Sequence, residues 1–139
     1  MSDYQINVKR VYDAIEEKDG ARFLTDRLWP RGIKKTDLEL TDWLREVCPV
    51  NSLRKAWHQG EVTYDEFCQQ YREQLCQDPS VLIPIIKAAR RRPVTLLTAV
   101  KTPQQSHIPV LKSAIFEALS NEDKSHDDRQ SHSPVCYDN

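Results

Sequence analysis

Apolar and polar side chains alternate at the start of the chain and then settle into helical spacing. From Tyr4 to Val11, Ile6 and Val8 alternate with Gln5, Asn7 and Lys9, the period of two expected of a strand with one covered face. Arg10 closes that stretch on the Ile6 and Val8 side, placed either to reach water or to face a site. Residues 13–20 are polar and end in Asp19-Gly20, a turn signal. A second strand is predicted from Phe23 to Leu28, with Leu24, Asp26 and Leu28 on one side and Phe23, Thr25 and Arg27 on the other. The link between the two is short for a helical crossover, so they are predicted to pair antiparallel or not to be neighbours.

Leu40, Trp43, Leu44 and Val47 have helical spacing, with Thr41 as the predicted N-cap and Pro49 as the stop. Ser52 to His58 reads as a further helical piece with Arg54 and His58 on one side. Thr63 and Glu66 form a capping box ahead of a stripe of Tyr64, Phe67, Cys68, Tyr71 and Leu75. Asp78-Pro79 opens another helix, which Pro84 must kink or restart. Its last turn carries Arg90-Arg91-Arg92, where cations meet the negative end of the helix dipole. Val94 to Val100 is nearly unbroken in apolar character, as a central strand covered on both faces would be. Ser106 is placed to cap a final helix whose core stripe is Leu111, Ala114, Ile115, Ala118 and Leu119. The pattern predicts a single α/β domain over residues 1–120, with a mostly parallel sheet of about three strands packed by about four or five helices. Residues 121–139 are predicted to be a polar, disordered tail.

Composition narrows the function classes. The chain has 139 residues, enough for one modest core. Its 20 basic and 21 acidic residues leave a net charge of −1, so any attraction for anions must come from local clustering. The opening residues carry no basic and apolar leader, and no apolar run reaches spanning length, which predicts a cytoplasmic protein without membrane contact. Cys48, Cys68, Cys76 and Cys136 form no CxxC pair and read as reduced, mostly packing thiols. His126, His132 and Cys136 offer metal-ligand chemistry but, in a polar tail, are weak evidence for a metal site, and with three glycines there is no phosphate-binding glycine loop or dinucleotide fingerprint. No cofactor and no metal is expected.

The richest chemistry lies in Thr25-Asp26-Arg27-Leu28-Trp29-Pro30-Arg31-Gly32-Ile33-Lys34-Lys35, which joins a carboxylate, four cations and an indole at the end of a strand. The loop leaving the Val94–Val100 strand adds Lys101, Ser106 and His107 at the start of a helix, where the dipole disfavours a protonated ring. The expected ligand-binding set is therefore Arg10, Arg27, Trp29, Arg31, Lys35, Lys101 and Ser106. Asp26 and His107 are the candidates for acid–base work, although Asp26 among arginines suits orientation better than proton abstraction.

Several strings resemble a known family. These are Arg10-Val11-Tyr12-Asp13, Asp26-Arg27-Leu28-Trp29-Pro30-Arg31-Gly32 with Lys35, Trp43-Leu44, Leu53-Arg54-Lys55, Phe67 with Tyr71, and Thr95-Leu96-Leu97 with Lys101 and His107. Together they resemble the YeaO-like branch of the domain-of-unknown-function family 488, over residues ~6 to ~119. The resemblance implies a small bacterial α/β domain with no assigned reaction. In the wider family an Asp-Val-Arg…Pro motif and a Cys-His-Arg loop would correspond to Asp26-Arg27…Pro30 and Ser106-His107-Ile108, with a second family cysteine falling at Thr98. A thiolate mechanism implied for such relatives cannot carry over to serine and threonine.

Two readings follow. The first is binding of, or action on, a small phosphate- or nucleotide-like anion, with arginines making bidentate contacts in a cleft between the 26–35 and 101–107 loops. The alternative is a nucleic-acid or protein binding module without catalysis, drawing on Arg27, Arg31, Lys34, Lys35, Arg54 and Lys55 with Trp29 and Trp57. The balanced net charge weighs against the alternative.

Overall fold

The computed structural model describes residues 4–128. Four strands, β1 (Ile6–Arg10), β2 (Ala21–Leu24), β3 (Asp42–Trp43) and β4 (Val94–Thr98), form one parallel sheet in the order β1-β4-β2-β3. Five helices complete the domain: α1 (Lys35–Leu38), α2 (Asn51–His58), α3 (Tyr64–Gln77), α4 (Ile83–Ala89) and α5 (Ile108–Asp128). The sheet thus has one strand more than the pattern predicted.

β4 is central and buried at all five positions, as its unbroken apolar run required. Ile6 pairs with Val94 on one side of it and Ala21 with Val94 on the other, so β1 and β2 are parallel and separated by β4. The short link between them crosses β4 without a full helix. Gly20 makes that crossing possible: its φ is +67°, and a Cβ there would meet the Pro93 carbonyl oxygen at 2.1 Å.

The two faces of the sheet are covered unequally. Ile6, Phe23, Val94 and Leu96 join residues of α2 to α5 in a core of nineteen buried residues. On the other face the buried apolar residues described are Val11, Leu24, Leu38 and Leu97, helped by Trp29, Ile33, Leu40, Trp43 and Ala99. That face also holds a polar cluster in which Lys9 and Arg22 both reach the buried carboxylate of Asp19. Burial opposes the charge on Asp19, but hydrogen bonds from the Glu16 N–H, Lys9 and Arg22 outweigh it and hold the carboxyl below the usual range.

Three expectations are corrected. The helix expected across Leu40 to Val47 is instead the edge strand β3 followed by a 3-10 turn, Arg45–Val47. Thr41 caps nothing; its hydroxyl oxygen accepts from the Arg22 N–H, and Leu44 N–H bonds Leu24 O, extending the ladder to β2. The second strand begins at Ala21 and ends at Leu24, so Thr25 to Leu28 already belong to the loop. Beyond these corrections, α5 runs on into the polar stretch from Asn121 as far as Asp128. There Arg90 bonds Glu122 and Asp123, so this arginine of the triplet serves the fold. His132 and Cys136 lie outside the described residues.

Elsewhere local rules decide the elements. Thr63 and Glu66 cap α3 reciprocally, and Pro84 restarts the chain as α4 after a 3-10 turn, Pro79–Leu82. No helix among the described residues is long and apolar enough to cross a membrane.

Candidate functional site

A cavity of about 400 Å³ opens at the carboxyl ends of the strands, between the loops that follow β1, β2, β3 and β4 and the start of α5. Of the expected residues it gathers Asp26, Arg27, Trp29, Arg31, Ser106 and His107. It does not include Arg10, Lys35 or Lys101. Arg10 spends its guanidinium on the carbonyls of Val100 and Ala99, at 3.0 and 3.3 Å, and so pins the loop after β4. Lys35, at the start of α1, and Lys101 are exposed.

The floor is a hydrogen-bonded knot around Thr25 and Asp26. One carboxylate oxygen of Asp26 accepts from the Thr98 hydroxyl and the other from the Ala99 N–H, both at 2.7 Å. The carboxylate therefore ties the end of β2 to the end of β4. The Thr25 carbonyl lies 2.5 Å from His107 Nε2 and accepts from the Cys48 thiol at 3.1 Å. A carbonyl can only accept, so His107 carries its proton on Nε2 and leaves Nδ1 as the lone-pair nitrogen. Burial pushes the His107 ring below the ordinary imidazole value; Asp26, 3.7 Å away, and the Thr25 carbonyl pull the other way and lose. His107 is neutral, as expected, but from burial more than from a helix dipole.

Several of the other polar groups are also committed to structure. The Ser106 hydroxyl donates to Pro103 O at 2.7 Å and accepts from the Ile108 N–H at 3.1 Å, which makes it the cap of α5. Arg27 donates to Cys48 O and Pro49 O, each at 3.2 Å, while Tyr71 OH and Gln74 hold Val47 O and Cys48 O from α3. Trp29 donates its indole N–H to Ile33 O at 2.6 Å and meets Trp43 edge to face, so most of it serves the smaller core. Burial, reinforced by the nearby Asp26 charge, pushes the Cys48 thiol up to about 12, which keeps it protonated.

The small-anion set expected from the sequence lacks Tyr12, Cys48 and His58, and also Arg54 and Trp57, which enter only the nucleic-acid alternative. α2 supplies three of them. Their spacing was visible, since Arg54 and His58 share a side of that helix, but nothing local shows that the side faces a cavity. Trp57 stacks on Phe67 with centroids 4.3 Å apart, which fixes the helix against α3. Among the described residues no group of three or more His, Cys, Asp or Glu is arranged to hold a metal ion.

A comparison with protein families finds a match over residues 5–138 to the family described as the inactive DUF488-N3 subclade. The chain belongs to this family. It is 47% identical over 106 residues to the uncharacterised protein YeaO of Escherichia coli K12, covering 76% of this chain and 92% of that protein. Uncharacterised proteins of Mycobacterium bovis and Mycobacterium tuberculosis are 38% identical over 107 residues, covering 77% of this chain and 90% of theirs. No solved structure matches the chain.

Proposed function

We propose that the protein binds a small phosphate-like anion in this cavity and holds it without chemical change. The observation that carries the reading is that Arg27, Arg31 and Arg54 line one concave site and that none of them, among the described residues, is ion-paired to a carboxylate. Unpaired guanidinium groups around a hollow suit a ligand that brings its own negative charge. A flat nucleic-acid platform would need the exposed lysines, and Lys34, Lys35 and Lys101 lie outside the cavity.

The same residues leave no group poised for turnover. The Ser106 hydroxyl bonds the start of α5, each Asp26 oxygen accepts a hydrogen bond, from the Thr98 hydroxyl or the Ala99 N–H, His107 is neutral and donates its Nε2–H to Thr25 O, and Cys48 is a buried thiol. Among the described residues, neither the Ser106 hydroxyl nor the Cys48 thiol is hydrogen-bonded to a free base; both bond backbone groups. The family's description as inactive supports the same conclusion.

Thermal denaturation with inorganic phosphate tests the binding. Saturation at a hundred times the dissociation constant should add roughly 2.7 kcal/mol to wild type, and Arg31→Ala should lose most of that gain. Equal stabilisation of both proteins, or none of either, would remove the cavity as the anion site. Release of phosphate from an aryl phosphate above the buffer blank would show that the site is catalytic after all.

A further inference from the structure

Building on the anion reading, we infer that the ligand is a nucleoside monophosphate, its phosphate on Arg54 and Arg31 and its base against Tyr12 and Leu28. Three observations converge on this two-part ligand.

The first concerns Arg54. Among the described residues its Nε is the only buried side-chain nitrogen or oxygen without a hydrogen-bond partner. The guanidinium has one long contact, from Nη2 to Asn51 Oδ1 at 3.4 Å. A desolvated N–H left unmade is costly, and at the wall of a cavity it marks where an acceptor belongs. Nε with its neighbouring Nη is the edge of the guanidinium that grips two oxygens of one phosphate.

The second is charge. Leaving the histidines aside, Arg27, Arg31 and Arg54 against Asp26 give the lining a balance of three positive and one negative, or +2. A phosphate monoester carries about −1.5 to −2 near neutral pH and matches that balance; a monocarboxylate does not.

The third is exposed apolar surface. Leu28 is 68% exposed and Tyr12 54%, the two most exposed large hydrophobics among the described residues, and both line this cavity. Tyr12 is steadied by the Arg10 guanidinium, 5.1 Å from its ring centre. An inorganic anion would leave both side chains in water and most of the 400 Å³ unfilled. A flat base joined to the phosphate covers them, and Trp57 supplies a further aromatic wall.

Titration calorimetry of the full chain with inorganic phosphate, a nucleoside, its 5′-monophosphate and a single-stranded oligonucleotide tests the assignment. The monophosphate should bind at least tenfold more tightly than either phosphate or nucleoside. Arg54→Ala should weaken phosphate and monophosphate alike by tenfold or more, and Arg54→Lys, which keeps the charge but loses the fork, should recover only part of this. Tyr12→Ala and Leu28→Ala alter exposed side chains and should leave folding intact; each should weaken the monophosphate severalfold without changing phosphate. Monophosphate and phosphate binding equally, with Tyr12→Ala silent, would overturn the base subsite while sparing the anion site. Failure of both ligands would remove the anion reading as well. Tighter binding of the oligonucleotide than of the monophosphate would overturn the assignment in favour of a nucleic-acid module. An Arg54→Ala effect accompanied by a changed circular-dichroism melt, with Arg54→Lys fully active, would reduce Arg54 to a structural role.

Discussion

Thr25 receives the His107 ring and the Cys48 thiol on one carbonyl oxygen, while its N–H and hydroxyl both reach Leu97 O. Its neighbour Asp26 closes the same knot from the carboxylate side, with two hydrogen bonds that are stronger for being made to a charge. Asp26→Ala should therefore cost about 3 kcal/mol in urea unfolding, because the Thr98 hydroxyl and Ala99 N–H lose their acceptor. Asp26→Asn should cost less, since one oxygen remains. His107 adds a pH dependence. Its folded value lies below 6.5 while the unfolded ring titrates near 6.5, so on acidification the unfolded chain takes up the proton first. The stability is complete above that value and falls as the pH drops below it. Urea midpoints taken between about pH 7 and about pH 5 should decline for wild type and decline less for His107→Gln, whose amide can still donate to Thr25 O.

Among elements, β4, α3 and α5 could be read from the chain because each is decided by its own residues: an unbroken apolar run, a capping box with a stripe, and a serine cap with a stripe. β3 could not. Leu40, Trp43, Leu44 and Val47 are spaced like one helical face, yet Leu40 and Trp43 enter the smaller core while Leu44 and Val47 enter the larger. The chain passes around the edge of the sheet there, and two cores filled in succession mimic a helical period. The site was half legible for a related reason. Cations can be counted in a sequence, but the carbonyls that occupy Arg10 lie some 90 residues away, and those that hold Arg27 lie in another loop. The β1–β2 crossing yields a sharper test. Gly20→Ala adds a Cβ 2.1 Å from backbone at positive φ, so it should destabilise by more than the ~1 kcal/mol of an ordinary glycine replacement. An unchanged melting temperature would contradict the close approach to Pro93.

For the whole molecule, a net charge of −1 conceals a cavity of opposite sign, so bulk charge is a poor guide to what the protein attracts. The cavity joins segments from residue 12 to residue 107, which makes ligand binding a property of the finished fold. The unequal covering of the sheet has a kinetic consequence. The segment carrying Trp29 to Leu40 is held by the smaller core and by the Arg22 guanidinium on Leu38 O, with four buried apolar residues in that core against nineteen across the sheet. It is the piece with least to lose by detaching while the other layer stays intact. In native-state hydrogen exchange, amides of residues 29–40 should be released through a partial opening well below the global unfolding free energy, whereas those of β4 should wait for complete unfolding. Saturating ligand should slow the first group most, because Arg31 at the rim would anchor the loop from outside. The protein would then register occupancy as a change in how often one layer lifts away from the other.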